Sequence, residues 1–473
     1  MNTLDLQLRR AGVLLYPTSL PSGRLDADVE RWLALLADSG FSVWQVLPLG
    51  EPQGGLSPYQ CTSAFAMNPS LLPEHPAVDE TDGDYAEFCN SQKFWLDDYI
   101  LFKVLKEYFD GACWADWPAA CRSRDVSALQ EFSERFASDI TVLKWQQYQL
   151  HKRWLEIRSR AVELGIVLFG DMPIFVGYDS ADVWAHPEWF LLDDNGQMEV
   201  VTGVPPDYFS DTGQRWGNPH YDWDAMIADD FSWWRSRIHH HLQQFDLVRI
   251  DHFRGLEAAW VIDASCKTAI DGHWQKIPGD ALLSILKADL QDVHAQLPLV
   301  AEDLGIITPE VTALRKKYQL PGMSILQFGF DAFDDNPHKI KNIEKDKIVY
   351  TGTHDNDTTL GWYNSLEDFV QPHVRQALQM SDADTADIAD KVVDSMIASA
   401  MHSAGLMCII PLQDCLHLDS SARMNTPGTI VDNWRWRFDW QQCDQFKVKQ
   451  MRSLIEASNR SVDSCSKTHI EEF

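Results

Sequence analysis

The chain has 473 residues, with 40 Lys plus Arg against 70 Asp plus Glu and a formal charge of −30. Such an excess of anions opposes phosphate backbones and anionic lipid surfaces, so neither nucleic acid nor a membrane is an expected partner. The nine cysteines are scattered without a Cys-x-x-Cys pair, no apolar run of about 18 residues occurs, and the start lacks a basic segment leading into an apolar block. A cytoplasmic protein with reduced thiols is expected, and a monomer or weak homo-oligomer.

Taken in order, Val13–Leu20 reads as a first strand ending in a Pro/Ser/Gly turn. Asp26 and Asp28 open a helix whose apolar positions Val29, Trp32, Leu33 and Leu36 follow i, i+3, i+4, i+7, with Gly40 as its stop. Val43–Leu49 is the second strand and runs into a polar, glycine-rich loop, residues 50–60. From 81 to 163 the pattern turns helical. Phe94, Trp95, Tyr99, Phe102, Leu105 and Phe109 mark one amphipathic helix, and Leu143, Tyr148, Trp154 and Ile157 a longer one. Gly165–Phe175 is the third strand and carries Asp171 near its end. Residues 183–223 show little periodicity and many turn formers, and are expected to form an active-site loop region, a lid or groove wall.

Five further strands follow, Leu247–Asp251, Leu297–Ala301 and the strands within 323–330, 347–353 and 406–414, with helical patterns over 280–296 and 388–403 between the later ones. Eight strands alternating with helices are what a (β/α)8 TIM barrel requires, here as one catalytic unit, 1–473, with a helical insertion at 81–163 between strands two and three. No composition shift marks a second domain.

Three of these strands share a build: a short apolar run ending in acid. Leu247-Val-Arg-Ile-Asp251 leads into His252, Leu297-Pro-Leu-Val-Ala-Glu302 into Asp303, and Lys347-Ile-Val-Tyr-Thr-Gly-Thr-His-Asp355 into Asn356. Strand ends in such a barrel open on one rim, so Asp251, Glu302 and Asp355 are expected to converge. Side chains alternate faces along a strand, which puts Arg249 beside Asp251 and favours an anionic Asp251. A structural ion pair closing a strand is the plain alternative. Paired carboxylates cleave glycosidic bonds when one attacks the anomeric carbon and the other protonates the leaving oxygen. Asp251 suits the nucleophile, and Glu302 suits the acid because a neighbouring anion keeps its proton on. Asp355 could hold sugar hydroxyls, with His252 and His354 as further donors. The 19 Trp would mostly be core, though an indole face also suits a sugar ring. A metal site on the same Asp and His residues is the rival; Arg249 beside Asp251 and the lack of a His-Glu-x-x-His pair oppose it. Glycine-rich cofactor fingerprints are absent, so no cofactor and no metal is expected.

An ordered set of stretches resembles the 4-α-glucanotransferases, also called amylomaltases or disproportionating enzymes, of glycoside hydrolase family 77. They are Ser57-Pro-Tyr-Gln60, Gly170-Asp-Met-Pro-Ile174, Gly203-Val-Pro-Pro-Asp-Tyr-Phe-Ser210, Gly213-Gln-Arg-Trp-Gly-Asn-Pro219, Arg249-Ile-Asp-His-Phe-Arg-Gly255, Ala301-Glu-Asp-Leu-Gly305, Gly352-Thr-His-Asp-Asn356 and Arg423-Met-Asn-Thr-Pro-Gly428. The resemblance implies a barrel enzyme that moves α-1,4-glucan segments between maltooligosaccharides through a covalent glucosyl-enzyme intermediate. It implies Asp251 as nucleophile, Glu302 as acid/base and Asp355 as transition-state stabiliser, with Tyr59, Asp171, Trp216, Arg249, His252 and His354 contacting sugar. The chain departs from the family at Tyr16, where His is common, and at the turn Ser22-Gly-Arg-Leu25, which is shorter than the family's. The tail after 438 matches no motif. An α-glucan hydrolase using the same trio and a catalytically dead glycan-binding barrel are the competing readings; the second would show loss of an acid at 251, 302 or 355, and all three are present.

Overall fold

A computed structural model describes residues 5–74, 76–79, 81–206, 210–380, 387–443 and 448–462. Its twelve strands, in chain order, are β1 (Arg10–Leu14), β2 (Val43–Gln45), β3 (Val167–Pro173), β4 (Val200–Val204), β5 (Gln214–Pro219), β6 (Leu247–Asp251), β7 (Ala258–Asp263), β8 (Gly272–Lys276), β9 (Leu299–Ala301), β10 (Gly322–Ile325), β11 (Lys347–Tyr350) and β12 (Met407–Pro411). Eight of them pair in parallel in the order β10-β11-β12-β1-β2-β3-β6-β9. The remaining seam, between β9 and β10, is bridged by Ala301 N–H donating to the Pro321 carbonyl at 2.8 Å and Met323 N–H donating to Asp303 Oδ1 at 2.7 Å. Asp303 also pairs with Lys347 Nζ at 2.5 Å, so the acid next to Glu302 serves the closure of the barrel.

The strands are the eight expected, with shifted bounds. β1 starts three residues before the expected Val13, because Arg10 and Ala11 pair with Met407 and Cys408, and it ends early because Pro17 starts a 3-10 turn. β10 ends at Ile325, where the chain also turns into a 3-10 helix, Leu326–Phe328. The first helix, Ala27–Asp38, is capped by the Asp26 carboxylate accepting from Asp28 N–H, and buries Val29, Trp32, Leu33 and Leu36. Between β2 and β3 lie helices at Gly83–Ser91, Lys93–Tyr108, Val126–Arg135 and Ala137–Glu163. Trp95, Tyr99, Phe102, Tyr148, Trp154 and Ile157 on them are core residues, whereas Phe94 is 48% exposed.

The region 183–223 is not the unstructured loop its sequence suggests. It contains β4 and β5, which join β7 and β8 in a four-stranded sheet of order β5-β4-β7-β8. These strands carry Gly, Thr, Gln and Arg rather than an alternating apolar pattern. What makes them strands is antiparallel pairing, Val201 with Ile262 and Gly203 with Trp260, supplied some sixty residues downstream. Residues 207–209 of the quoted Gly203–Ser210 stretch lie outside the described residues.

The tail beyond 438 closes the opposite end of the barrel. Arg460 is fully buried and donates to the carbonyls of Arg10, at the start of β1, and of Met401, Ser403, Gly405 and Leu406, at the helix end and turn that lead into β12. Arg452 on the helix Val448–Ala457 donates to the carbonyls of Ala37 and Asp38 at the end of the first helix. Among the described residues no helix is long and apolar enough to cross a membrane, and Cys61, Cys89, Cys113, Cys121, Cys266, Cys408 and Cys415 are free thiols.

Candidate active site

Strand register assembles the site before any side-chain detail. β3 and β6 pair Asp171 with Arg249, and β6 and β9 pair Ile250 with Ala301, which makes Asp251 and Glu302 neighbours one step beyond the ladder. Adjacent strands lie about 4.8 Å apart and register partners share a face, so the two carboxyls look into one mouth. β11 sits opposite β3 around the barrel, two strands from β9 and three from β6, and Asp355 beyond its end is near enough for its charge to act on Asp251.

Arg249 is the electrostatic pivot. Its Nη1 donates to both oxygens of Asp171, at 2.8 and 2.6 Å, and its Nη2 to Asp251 Oδ1 at 2.8 Å. On the other face of β3, Gly170 makes room for the Phe245 ring, since a Cβ there would fall 2.3 Å from it. The Asp171 side chain has no exposure at all, and its Oδ2 accepts a further bond from Tyr59 Oη at 2.8 Å. It therefore reaches the cavity only through Arg249 and Tyr59.

Burial pushes the Asp251 carboxyl up to about 6; Arg249 opposes that, while Asp171 and Asp355 add to it. The ion pair is thus not the dominant influence that the Arg-x-Asp pattern suggests, although Asp251 remains ionised at neutral pH. Glu302 is buried more deeply, and burial together with the Asp251 charge pushes it up to about 8 against the pull of Arg249 and the Leu304 N–H. Its two oxygens accept from His252 N–H at 2.8 Å and Leu304 N–H at 2.9 Å, which fixes the carboxyl in place. The first of these bonds depends on His252 adopting the left-handed conformation, φ 51°, an unusual backbone for a non-glycine residue. The same turn leaves His252 Nε2 buried without a partner, and burial lowers this imidazole to about 4, so it is neutral. Trp216 on β5 stands edge-on against His252 at 4.8 Å between centroids.

On the far wall Tyr59 stacks on His354, centroids 5.2 Å apart and 17° between planes, and Trp434 leans on both at 5.9 and 5.7 Å. His354 Nε2 lies 3.4 Å from Asp355 Oδ2. Asp355 Oδ1 accepts from Asn425 Nδ2 at 2.6 Å, and the Asp355 carbonyl from Arg423 Nη2 at 2.8 Å. Trp434 and the contacts of Arg423 and Asn425 are additions that the strand pattern does not reveal. The only sequence signal for them is the polar Arg423-Met-Asn-Thr-Pro-Gly428 run far from any acidic strand end.

The profile of the 4-alpha-glucanotransferase family, glycoside hydrolase 77, matches residues 14–76 and 72–442. The chain belongs to that family. A 4-alpha-glucanotransferase of Thermus thermophilus is 41% identical over 96% of this chain and 100% of its own length, and one of a Synechocystis strain is 39% identical over 97% and 99%. Among solved structures, an amylomaltase from Streptococcus agalactiae in complex with acarbose superposes with a TM-score of 0.89 at 30% identity, covering 96% of this chain and 100% of that one. As a 4-α-glucanotransferase, the chain is an enzyme of glycosyl transfer acting on α-glucans, and its (β/α)8 barrel is the fold that the solved amylomaltase shares.

Proposed function

We propose that Asp251, Glu302 and Asp355 carry this transfer, Asp251 as nucleophile, Glu302 as acid and then base, and Asp355 as the group that grips the flattened sugar ring. The observation that carries the reading is the order of the two neighbouring carboxyls: Asp251 ionises at about 6 and Glu302 at about 8, so at neutral pH one is an anion and the other still holds its proton. Neighbouring strands about 4.8 Å apart allow two such carboxyls to stand at the roughly 5–5.5 Å separation that retaining glycosidases use.

In the first step Asp251 Oδ2, the oxygen not engaged by Arg249, forms a bond to the anomeric carbon. The bond from that carbon to the 4-oxygen of the leaving glucan breaks, and the Glu302 proton passes to the departing oxygen. Esterification removes the Asp251 charge, one of the influences holding the Glu302 proton on, so Glu302 is better suited to be a base in the second step. There it takes the proton of an acceptor 4-hydroxyl whose oxygen attacks the anomeric carbon and expels Asp251. Arg249 stabilises Asp251 as the leaving carboxylate, and Asp171, which accepts from the Tyr59 hydroxyl, holds Arg249 rather than the sugar itself. His252, neutral, offers Nε2 to a hydroxyl, His354 and Tyr59 line the glucosyl site, and Trp216 presents its ring beside His252. The free thiols fit a reducing compartment such as the cytoplasm.

Incubation with maltotriose tests the reaction. Transfer gives glucose together with chains longer than three units; glucose and maltose alone would make the enzyme a hydrolase. With Asp251→Asn neither set should form, and turnover by that variant would remove Asp251 from the nucleophile's place.

A further inference from the structure

Among the described residues, neither an arginine nor a backbone N–H donates to the Asp355 carboxylate. Asp251 is tied to Arg249 and Glu302 to two backbone N–H groups, whereas the Asp355 side chain is 47% exposed on the open wall of the cleft. A carboxylate in that position rotates freely unless something fixes it, and a group meant to meet a flattened ring has to be oriented beforehand.

From this geometry we infer that Asn425 is the positioning residue of the transfer reaction, acting through Asp355. Its Nδ2 donates to Asp355 Oδ1 at 2.6 Å, a bond strengthened by the carboxylate charge. With Oδ1 so held, Oδ2 is left on the side of His354 Nε2, at 3.4 Å. Asn425 is itself held at its backbone. Its N–H donates to the His354 carbonyl at 3.1 Å, and its carbonyl accepts from Arg423 Nε at 2.8 Å. Arg423 Nη2 reaches on to the Asp355 carbonyl at 2.8 Å. Residues 423–425 thus run alongside 354–355 and donate to them at three points. Beyond them the loop is closed by Thr426 N–H donating to Asn433 Oδ1 and Trp434 N–H donating to the Met424 carbonyl at 2.7 Å, which seats the Trp434 ring on His354 and Tyr59. One loop therefore sets both the carboxylate and the aromatic wall beside it. An amide suits the task better than a cation: it directs one oxygen without adding a positive charge that would offset the Asp355 carboxylate and repel the developing positive ring.

The inference rests on the proposed role of Asp355, and the experiment separates the two. Asn425→Ala, Asp355→Asn and the double variant are assayed on maltotriose and on an α-glucosyl fluoride, whose leaving group needs no acid, with melting curves to establish folding. Asn425→Ala should lower kcat about tenfold to a hundredfold with KM moved less than about threefold, and should cost nothing further once Asp355 is Asn. An equal loss in both backgrounds, or a change in KM alone, would overturn the positioning role. Full turnover by Asp355→Asn would instead remove the role of Asp355 itself. Asn425→Asp, nearly isosteric, supplies a readout that loss of structure does not mimic. Two carboxylates side by side cannot both stay ionised, and the new one can donate to Asp355 as the amide does only while it keeps its proton, so activity should be best retained at low pH and fall as the pair loses that proton. A profile of wild-type shape merely scaled down would count against the inference.

Discussion

The two ends of the barrel treat buried charge in opposite ways. At the amino ends of the strands Arg460 is enclosed and its guanidinium meets five backbone carbonyls, so a costly charge is fully satisfied and ties the tail to β1 and β12. At the carboxyl ends the charges are left in tension: one cation is shared by Asp171 and Asp251, Glu302 is pushed up to about 8, and His252 has a strained backbone and an unpartnered buried nitrogen. The difference separates polar burial that is satisfied within the fold from polar burial left open to a further partner. Satisfied groups add stability, and unsatisfied ones are free to exchange their partner for substrate.

The comparison can be broken most sharply at Asp251. Asp251→Asn should lower kcat by at least ~10^4-fold while the melting temperature holds or rises, because a buried anion has been removed from a crowded site; steady-state kinetics and calorimetry on one preparation decide it. Arg460→Ala should do the reverse. Five carbonyls lose their donor, so unfolding in urea should show a loss of about 3–5 kcal/mol, with kcat per folded molecule unchanged. A large loss of kcat with intact stability would place the tail in the reaction instead.

A smaller effect sharpens the account of the rim. With Asp251 needed as the anion and Glu302 as the acid, kcat/KM should follow a bell with limbs near about 6 and about 8. On a glucosyl fluoride the alkaline limb of the first step should fade. The same raised value has a stability consequence of definite sign. The folded state keeps the Glu302 proton up to about 8, whereas an unfolded glutamate releases it near ~4.3. Its contribution is therefore present below that lower value and is lost as pH rises through about 8. Glu302→Gln should flatten the fall of melting temperature across that window; an unchanged slope would show that Glu302 is not the group responsible. Least affected should be Trp216→Phe, which keeps a ring against His252, while Trp216→Ala should raise KM for maltotriose by no more than about tenfold.

Much of this was legible in the chain itself. Apolar runs ending in acid named Asp251, Glu302 and Asp355, and the i, i+3, i+4, i+7 pattern after Asp26 named the first helix and its buried face, because period and capping are local properties of a sequence. Tertiary structure alone decided the rest. β4 and β5 become strands only when β7 and β8 arrive to pair with them, and Arg460 becomes a plug only beside Arg10 and Leu406. Asn425 gains a role only where the chain returns to Asp355, and the order in which two neighbouring carboxyls ionise is set by how deeply each is enclosed. Each of these is an interaction between residues remote along the chain, and local pattern carries no record of which distant partner will desolvate or pair a given group.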